Sequence, residues 1–216
     1  MYLLFGLTLI IGLASQWYVS HNLKKYSKVA CSWNITGADM AYRMSRDKQI
    51  PGVGVNRGRQ GQDFFDPRTN AVTLGPDSYG QTSITAVATA VHEMGHAEQY
   101  ATGYTFMKIR SAMVPVVNLA SNAWMIVFFL GIFIQSFDLV NIGILLFAAV
   151  MAFQLVTLPV EFDASRRGIG YLKACGMNQV EVAGAHKVLT ACALTYVAAA
   201  LSSALQLIYL LIVSRD

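Results

Sequence analysis

One stretch of this 216-residue sequence reads Val91-His92-Glu93-Met94-Gly95-His96-Ala97-Glu98, and both the fold and the chemistry are interpreted from it. Residues four apart lie on the same face of a helix, so His92 and His96 can each present an imidazole nitrogen to one metal ion. Glu93 lies one step around the helix and can reach a water at that ion without binding the ion itself. The pattern is typical of zinc-assisted hydrolysis.

The residues around this motif favour a helix. Apolar or small side chains recur there with helical spacing and give one buried stripe, formed by Ile84, Val87, Ala88, Val91 and Gly95. Gly103 is suited to end that helix. A chance spacing of two histidines on an ordinary polar face is the alternative, and the helical context argues against it.

The composition indicates a membrane protein, because 55% of the residues are hydrophobic and only 13% are charged. Four segments without charged side chains are long enough to cross a bilayer, namely residues 2–19, 112–135, 139–159 and 188–213. A cleaved signal peptide is the alternative for the first of them, but no basic stretch precedes it. We therefore predict a mainly α, integral membrane fold with four transmembrane helices, in a single domain over residues 1–216.

The basic residues orient these segments. Residues 24–28 hold three lysines directly after the first segment, so the positive-inside rule places residues 21–111 and 160–187 in the cytoplasm and both termini outside. Every Lys and Arg except Arg215 then lies on the cytoplasmic side of a cell membrane, for which we expect a bacterial inner membrane. The net charge of +4 thus reflects membrane orientation, and no motif for nucleic-acid binding is present.

The predicted cytoplasmic part before the motif contains one helix, over residues 37–48, and a small β-sheet. Short β-like pieces occur at residues 53–55, 61–65 and 71–74. Zinc peptidases commonly place an exposed strand edge beside the metal helix, because an extended substrate can pair with it. The predicted substrate edge is formed by Ala71, Val72 and Thr73; a sheet that serves packing alone is the alternative.

A hydrolytic zinc site needs a third protein ligand and one open position. Two membrane crossings separate His96 from Glu161, so the chain returns to the face that it left and Glu161 can close the site. Further candidates on that face are Asp163, Glu181, His186 and the acidic residues of the sheet region. Pro159 suits the first turn of a new helix, in which the two carboxylates at 161 and 163 would only complement the helix dipole.

Three motifs follow the N-terminal anchor, and the resemblance that they carry covers nearly the whole chain. They are Asp63-Phe64-Phe65-Asp66-Pro67, the His92 to Ala97 run, and Thr157-Leu158-Pro159-Val160-Glu161-Phe162-Asp163-Ala164-Ser165-Arg166-Arg167. Together they resemble the YugP-like membrane zinc metallopeptidases, with a more distant similarity to the HtpX type of membrane peptidase. The resemblance implies that Glu161 is the third zinc ligand, because it matches the glutamate that opens a Glu-x-x-x-Asp motif. Ser165 stands where that motif has aspartate, so Asp163 is either a ligand itself or a hydrogen-bond partner of a ligand histidine.

The residues and the resemblance together predict a zinc-dependent membrane endopeptidase with one zinc ion per chain. His92, His96 and Glu161 would hold the ion, and Glu93 would be the general base. Candidates for a supporting or oxyanion-stabilising role are Asp163, Arg166 and His186. The expected partners are the lipid bilayer and membrane-associated or unfolded protein substrates at the cytoplasmic face; no regulator is identified.

Two other classes of function compete with this prediction. A non-catalytic membrane protein with a structural metal would have four protein ligands and no need of Glu93. A transporter or channel would carry charges inside its spans, and the four apolar segments contain none.

Overall fold

The computed structural model describes residues 2–214, which form a mainly helical fold with one small sheet. The elements in chain order are α1 (Tyr2–Tyr26), α2 (Gly37–Asp47), β1 (Gly54–Arg57), β2 (Phe64–Asp66), β3 (Ala71–Leu74), α3 (Pro76–Gly80), α4 (Ile84–Ala101), α5 (Thr105–Phe133), α6 (Phe137–Ala174) and α7 (Gln179–Val213). The outer positions predicted for Met1 and Asp216, and the exception at Arg215, lie outside the described residues.

Three helices in the described part of the chain, α5, α6 and α7, are long and apolar enough to cross a membrane. Their exposed side chains include Leu119, Phe133 and Leu145, which suits contact with lipid. The mainly helical fold is confirmed, and three of the four predicted spans match helices of sufficient length and hydropathy. Helix α1 also exposes apolar side chains and packs along α7, and its role as a fourth span stays a prediction.

The helices extend well beyond the apolar segments from which they were predicted, and the largest difference is in α6. Pro159 was expected to open a new helix, and that expectation is wrong, because Pro159 lies inside the continuous 38-residue helix α6. Proline is tolerated inside membrane helices, where neighbouring groups compensate for the backbone bond that it removes. The residues after Pro159 therefore continue a helix that is long and apolar enough to cross a membrane.

The predicted sheet exists, but its strand order differs from the expectation. The order is β1-β3-β2, with β3 parallel to β1 and antiparallel to β2. Ala71, Val72 and Thr73 are therefore in the central strand and pair with β1 on one side and with β2 on the other. The prediction that they form a substrate edge is wrong, because their backbone groups face strands on both sides.

Helix α4 carries the histidine motif through the core and packs on α2, α6 and α7. Ser83 begins it by accepting a hydrogen bond from the backbone of Ala86, and Gly103 follows its end with a φ of 65°, as predicted. A Cβ atom at Gly95 would lie 2.5 Å from the carbonyl oxygen of Ala164 in α6. The backbones of α4 and α6 are thus in direct contact beside the motif.

Candidate metal centre

His92, His96 and Glu161 meet where α4 crosses α6. His92 Nε2 lies 3.3 Å from Glu161 Oε2, and His96 Nε2 lies 3.6 Å from the same oxygen. One ligand atom from each of the three residues lies within 4.8 Å of the others. Glu161 and His96 are buried, with 2% and 6% of their surface exposed, and His92 is partly buried beside them.

The second nitrogen of each imidazole is already engaged. His92 Nδ1 lies 3.1 Å from Ser165 Oγ, and His96 Nδ1 lies 3.0 Å from Gln99 Oε1. Zinc-binding histidines use one ring nitrogen for the metal and the other for such a partner. Two imidazole nitrogens and one carboxylate oxygen form a catalytic zinc ligand set with room for a fourth ligand, so these residues fit zinc.

Gln99 fixes the tautomer of His96. Its side-chain nitrogen donates to the carbonyl oxygen of Val160 at 2.8 Å and to Asp163 Oδ2 at 3.0 Å, so Gln99 Oε1 faces His96 as an acceptor. The proton of His96 then lies on Nδ1, and Nε2 keeps its lone pair for a metal. Sequence reasoning missed Gln99; its position three residues after His96, on the same helical face, was the available signal.

Asp163 supports the centre from outside. Its carboxylate accepts hydrogen bonds from Gln99, from Arg167 Nε at 2.6 Å and from Arg166. The prediction offered Asp163 as a ligand or as a direct partner of a ligand histidine. The structure places it one step further away, because Gln99 stands between Asp163 and His96, and the direct partner of His92 is Ser165.

Glu93 is buried next to His92 in α4, with 7% of its surface exposed. Burial raises the pKa of the Glu93 carboxyl to about 7, since desolvation disfavours its charged form. A carboxyl group with a pKa near neutrality can both accept and return a proton, as a general base in hydrolysis must.

Arg110 brings a positive charge to the centre from the first turns of α5. Its Nη1 atom lies 3.7 Å from Glu161 Oε1. Sequence reasoning missed Arg110, because no motif surrounds it and it is separated from Glu161 by two predicted membrane crossings. The signal that remained was its place just before an apolar segment, on the face predicted to hold the motif.

Other candidates have contacts elsewhere. Arg166 pairs with Asp163 and stays 80% exposed in its side chain, and His186 lies 3.3 Å from Thr190 Oγ1 on the surface of α7. Glu181, an alternative third ligand, accepts hydrogen bonds from the backbone and hydroxyl of Ser32. Within residues 2–214, none of these three side chains forms a hydrogen bond or an ion pair with His92 or His96.

An open groove of about 640 Å³ lies beside the centre, between β2 and α5. Phe64, Phe65 and Asp66 of β2 form one wall, and Met107 and Arg110 of α5 lie opposite. Because Arg110 also approaches Glu161, the groove and the three-residue cluster meet at this side chain.

Comparisons with known proteins identify the family. Residues 1–215 match the model of a family described as "putative neutral zinc metallopeptidase". The chain is 41% identical over 197 residues to the "putative membrane protease YugP" of Bacillus subtilis (strain 168). The aligned region covers 90% of this chain and 87% of that protein. No solved structure matches this chain. The resemblance predicted from the motifs is confirmed.

Proposed function

Because this chain belongs to the family described as "putative neutral zinc metallopeptidase", we propose that it is a zinc-dependent endopeptidase of a membrane, with its centre at the crossing of α4 and α6. The observation that carries the proposal is the cluster of His92, His96 and Glu161, in which both imidazoles turn Nε2 toward the Glu161 carboxylate while Nδ1 has a separate partner. A zinc ion bound by these residues would supply an activated water and would polarise a peptide carbonyl.

The other residues of the site have roles in proton transfer, in positioning the histidines and in stabilising charge. Glu93 takes the proton of the attacking water and passes it to the leaving amine. Ser165 and Gln99 hold the two imidazoles in position, as outer partners of ligand histidines do. The Arg110 guanidinium lies at the junction of groove and centre, where it can face the developing oxyanion.

The substrate is proposed to bind in the groove between β2 and α5. Strand β2 is at the edge of the sheet, and within residues 2–214 its outer side has no paired strand. The opposite edge is partly covered, because the hydroxyl of Tyr42 donates to the carbonyl oxygen of Val55 in β1 at 3.1 Å. An extended peptide that pairs with β2 would pass Arg110 and reach the centre.

We further propose that α1 is a fourth span and that the centre faces the cytoplasm. The support is the distribution of Lys and Arg, which the positive-inside rule places on one side. A centre at the membrane surface suits membrane-associated or unfolded chains as substrates.

The test of the function is the Glu93→Gln variant, compared with the wild type after purification in detergent. General-base catalysis contributes about 10²- to 10⁴-fold, so we expect cleavage of a fluorescently labelled unfolded protein to fall by that factor. Zinc content, measured by mass spectrometry, should stay at about one ion per chain, because Glu93 is not a ligand. Equal cleavage by both proteins would assign the activity to a contaminating protease, and loss of zinc from Glu93→Gln would contradict its role.

A further inference from the structure

A second groove lies on the other side of α6, between its end and the start of α7. Two adjoining cavities of about 730 and 340 Å³ share Ile169, Lys173 and His186. Cationic or titratable basic side chains line them together with apolar ones, and none of the lining residues is acidic. The basic side chains are Arg166, Lys173, His186 and Lys187. We call this surface the α6–α7 groove.

The positive charge of the α6–α7 groove is not neutralised by neighbouring carboxylates. Lys173 and Lys187 have no ion pair with a carboxylate in the part of the chain between residues 2 and 214. Arg166 does pair with Asp163, but 80% of its side chain remains exposed. The groove therefore presents two free ammonium groups to an anion.

The same groove continues onto apolar helix surface. Lys187 directly precedes the apolar segment 188–213 of α7, and the 340 Å³ cavity is lined by Phe162, Leu189 and Ala193 beside the basic groups. Phe162 is 48% exposed. Helices α6 and α7 are both long and apolar enough to cross a membrane. The groove thus joins a cationic end to a surface suited to acyl chains.

We propose that the α6–α7 groove binds an anionic phospholipid, with the phosphate against Lys173 and Lys187 and an acyl chain along Phe162 and Ala193. Basic pockets between membrane helices recognise anionic head groups through charge, and the apolar continuation selects a lipid over a soluble phosphate. The site does not depend on the proposed peptidase activity, and lipid retention can be measured without a substrate.

The experiment is a titration of the full chain in detergent with phosphatidylglycerol or phosphatidylcholine of matched acyl chains, followed by native mass spectrometry. We expect one phosphatidylglycerol to be retained per chain under conditions that remove phosphatidylcholine. Each lysine near an anionic head group contributes about fivefold in affinity, so Lys173→Gln/Lys187→Gln should bind phosphatidylglycerol about 25-fold more weakly.

Two control variants make the result specific. Lys173→Arg/Lys187→Arg keeps both charges and should retain the lipid. Arg57→Gln/Arg59→Gln removes the same charge from exposed positions at the sheet and should bind like the wild type. Equal retention of the two lipids, or an unchanged affinity in the double Gln variant, would overturn the proposal.

A soluble competitor separates a lipid from a free phosphate. A hundredfold excess of glycerol phosphate should leave the phosphatidylglycerol bound, because it lacks the acyl chains that contact the apolar part of the groove. Complete displacement by glycerol phosphate would show a site for soluble phosphate and would overturn the assignment to lipid.

Discussion

Helix α6 packs on α5 in its first half and on α4 in its second half, and the two interfaces are built differently. Both depend on close backbone approach: Gly143 fits against Phe128 of α5, and Gly168 fits against the backbone of Val91 in α4. In the second half, polar side chains also bind partners on the facing helix, as in His92 with Ser165 and Gln99 with Asp163. Within residues 2–214, the side chains of the first half of α6 form no hydrogen bond or ion pair with α5, and the ion pair of Arg110 with Glu161 lies in the second half. One helix thus combines a candidate membrane span with a wall of the candidate metal centre, and the residues of the facing helix decide which of the two each half forms.

The largest effect should come from Glu161→Ala, which removes a proposed zinc ligand from the α4 interface. We expect zinc affinity to fall by more than about 100-fold, beyond the loss caused by changes to outer partners. Asp163→Ala is the matched variant two residues away and should bind zinc within about 100-fold of the wild type. Competition with a zinc chelator measures both, and a larger loss in Asp163→Ala would reverse the roles of the two carboxylates.

Two glycine variants, one in each interface, test whether zinc affinity depends on the α4 interface alone. In Gly95→Ala the new Cβ would meet the Ala164 backbone at 2.5 Å, and in Gly143→Ala it would meet Phe128 Cβ at 2.7 Å. Overpacking should destabilise each protein by about 1–3 kcal/mol, seen as a lower thermal unfolding temperature. Zinc affinity should fall only in Gly95→Ala, because only that change moves α6 away from the histidines. Equal zinc loss in both variants would mean that the two interfaces are not independent.

Gln99→Leu should have an intermediate effect, since it removes the partner of His96 Nδ1 and leaves the ligands in place. Outer partners of ligand histidines contribute about 10- to 100-fold in metal affinity, and we expect a loss in that range. Competition with a zinc chelator at fixed pH measures this loss of zinc affinity. Unchanged affinity would show that packing alone orients His96.

The smallest effect should come from Arg166→Ala. Its ion pair with Asp163 is largely exposed to solvent, and such pairs contribute at most about 1 kcal/mol. Zinc affinity should change by less than about threefold, because Arg167 and Gln99 still hold Asp163. A loss of zinc affinity as large as that in Gln99→Leu would show that the ion pair of Arg166 with Asp163 is needed to hold the zinc-binding residues in place.

The motif helix and three of the four predicted spans could be derived from the sequence, because helical spacing and hydrophobic length are local properties. The return of Glu161 to the histidines followed from the two predicted crossings and from the family resemblance. The position of β3 in the middle of the sheet could not be predicted from the sequence. Strand β3 pairs with β1, which is not its neighbour in the chain, and such pairing is decided by the folded structure. The prediction that Pro159 opens a new helix was wrong for another reason. Proline interrupts helices in water, but it is tolerated inside helices that cross a membrane. Arg110 was missed because only the folded chain brings it to Glu161.

The most direct test of the central claim is X-ray absorption spectroscopy at the zinc edge on the full chain in detergent. We expect one zinc per chain with two imidazole nitrogens and one carboxylate oxygen at about 2.0–2.2 Å, and a fourth light atom from solvent. Glu161→Ala should lose this signal. A sulfur ligand, four protein ligands, or a folded wild type that binds no added zinc would contradict a hydrolytic zinc site at His92, His96 and Glu161.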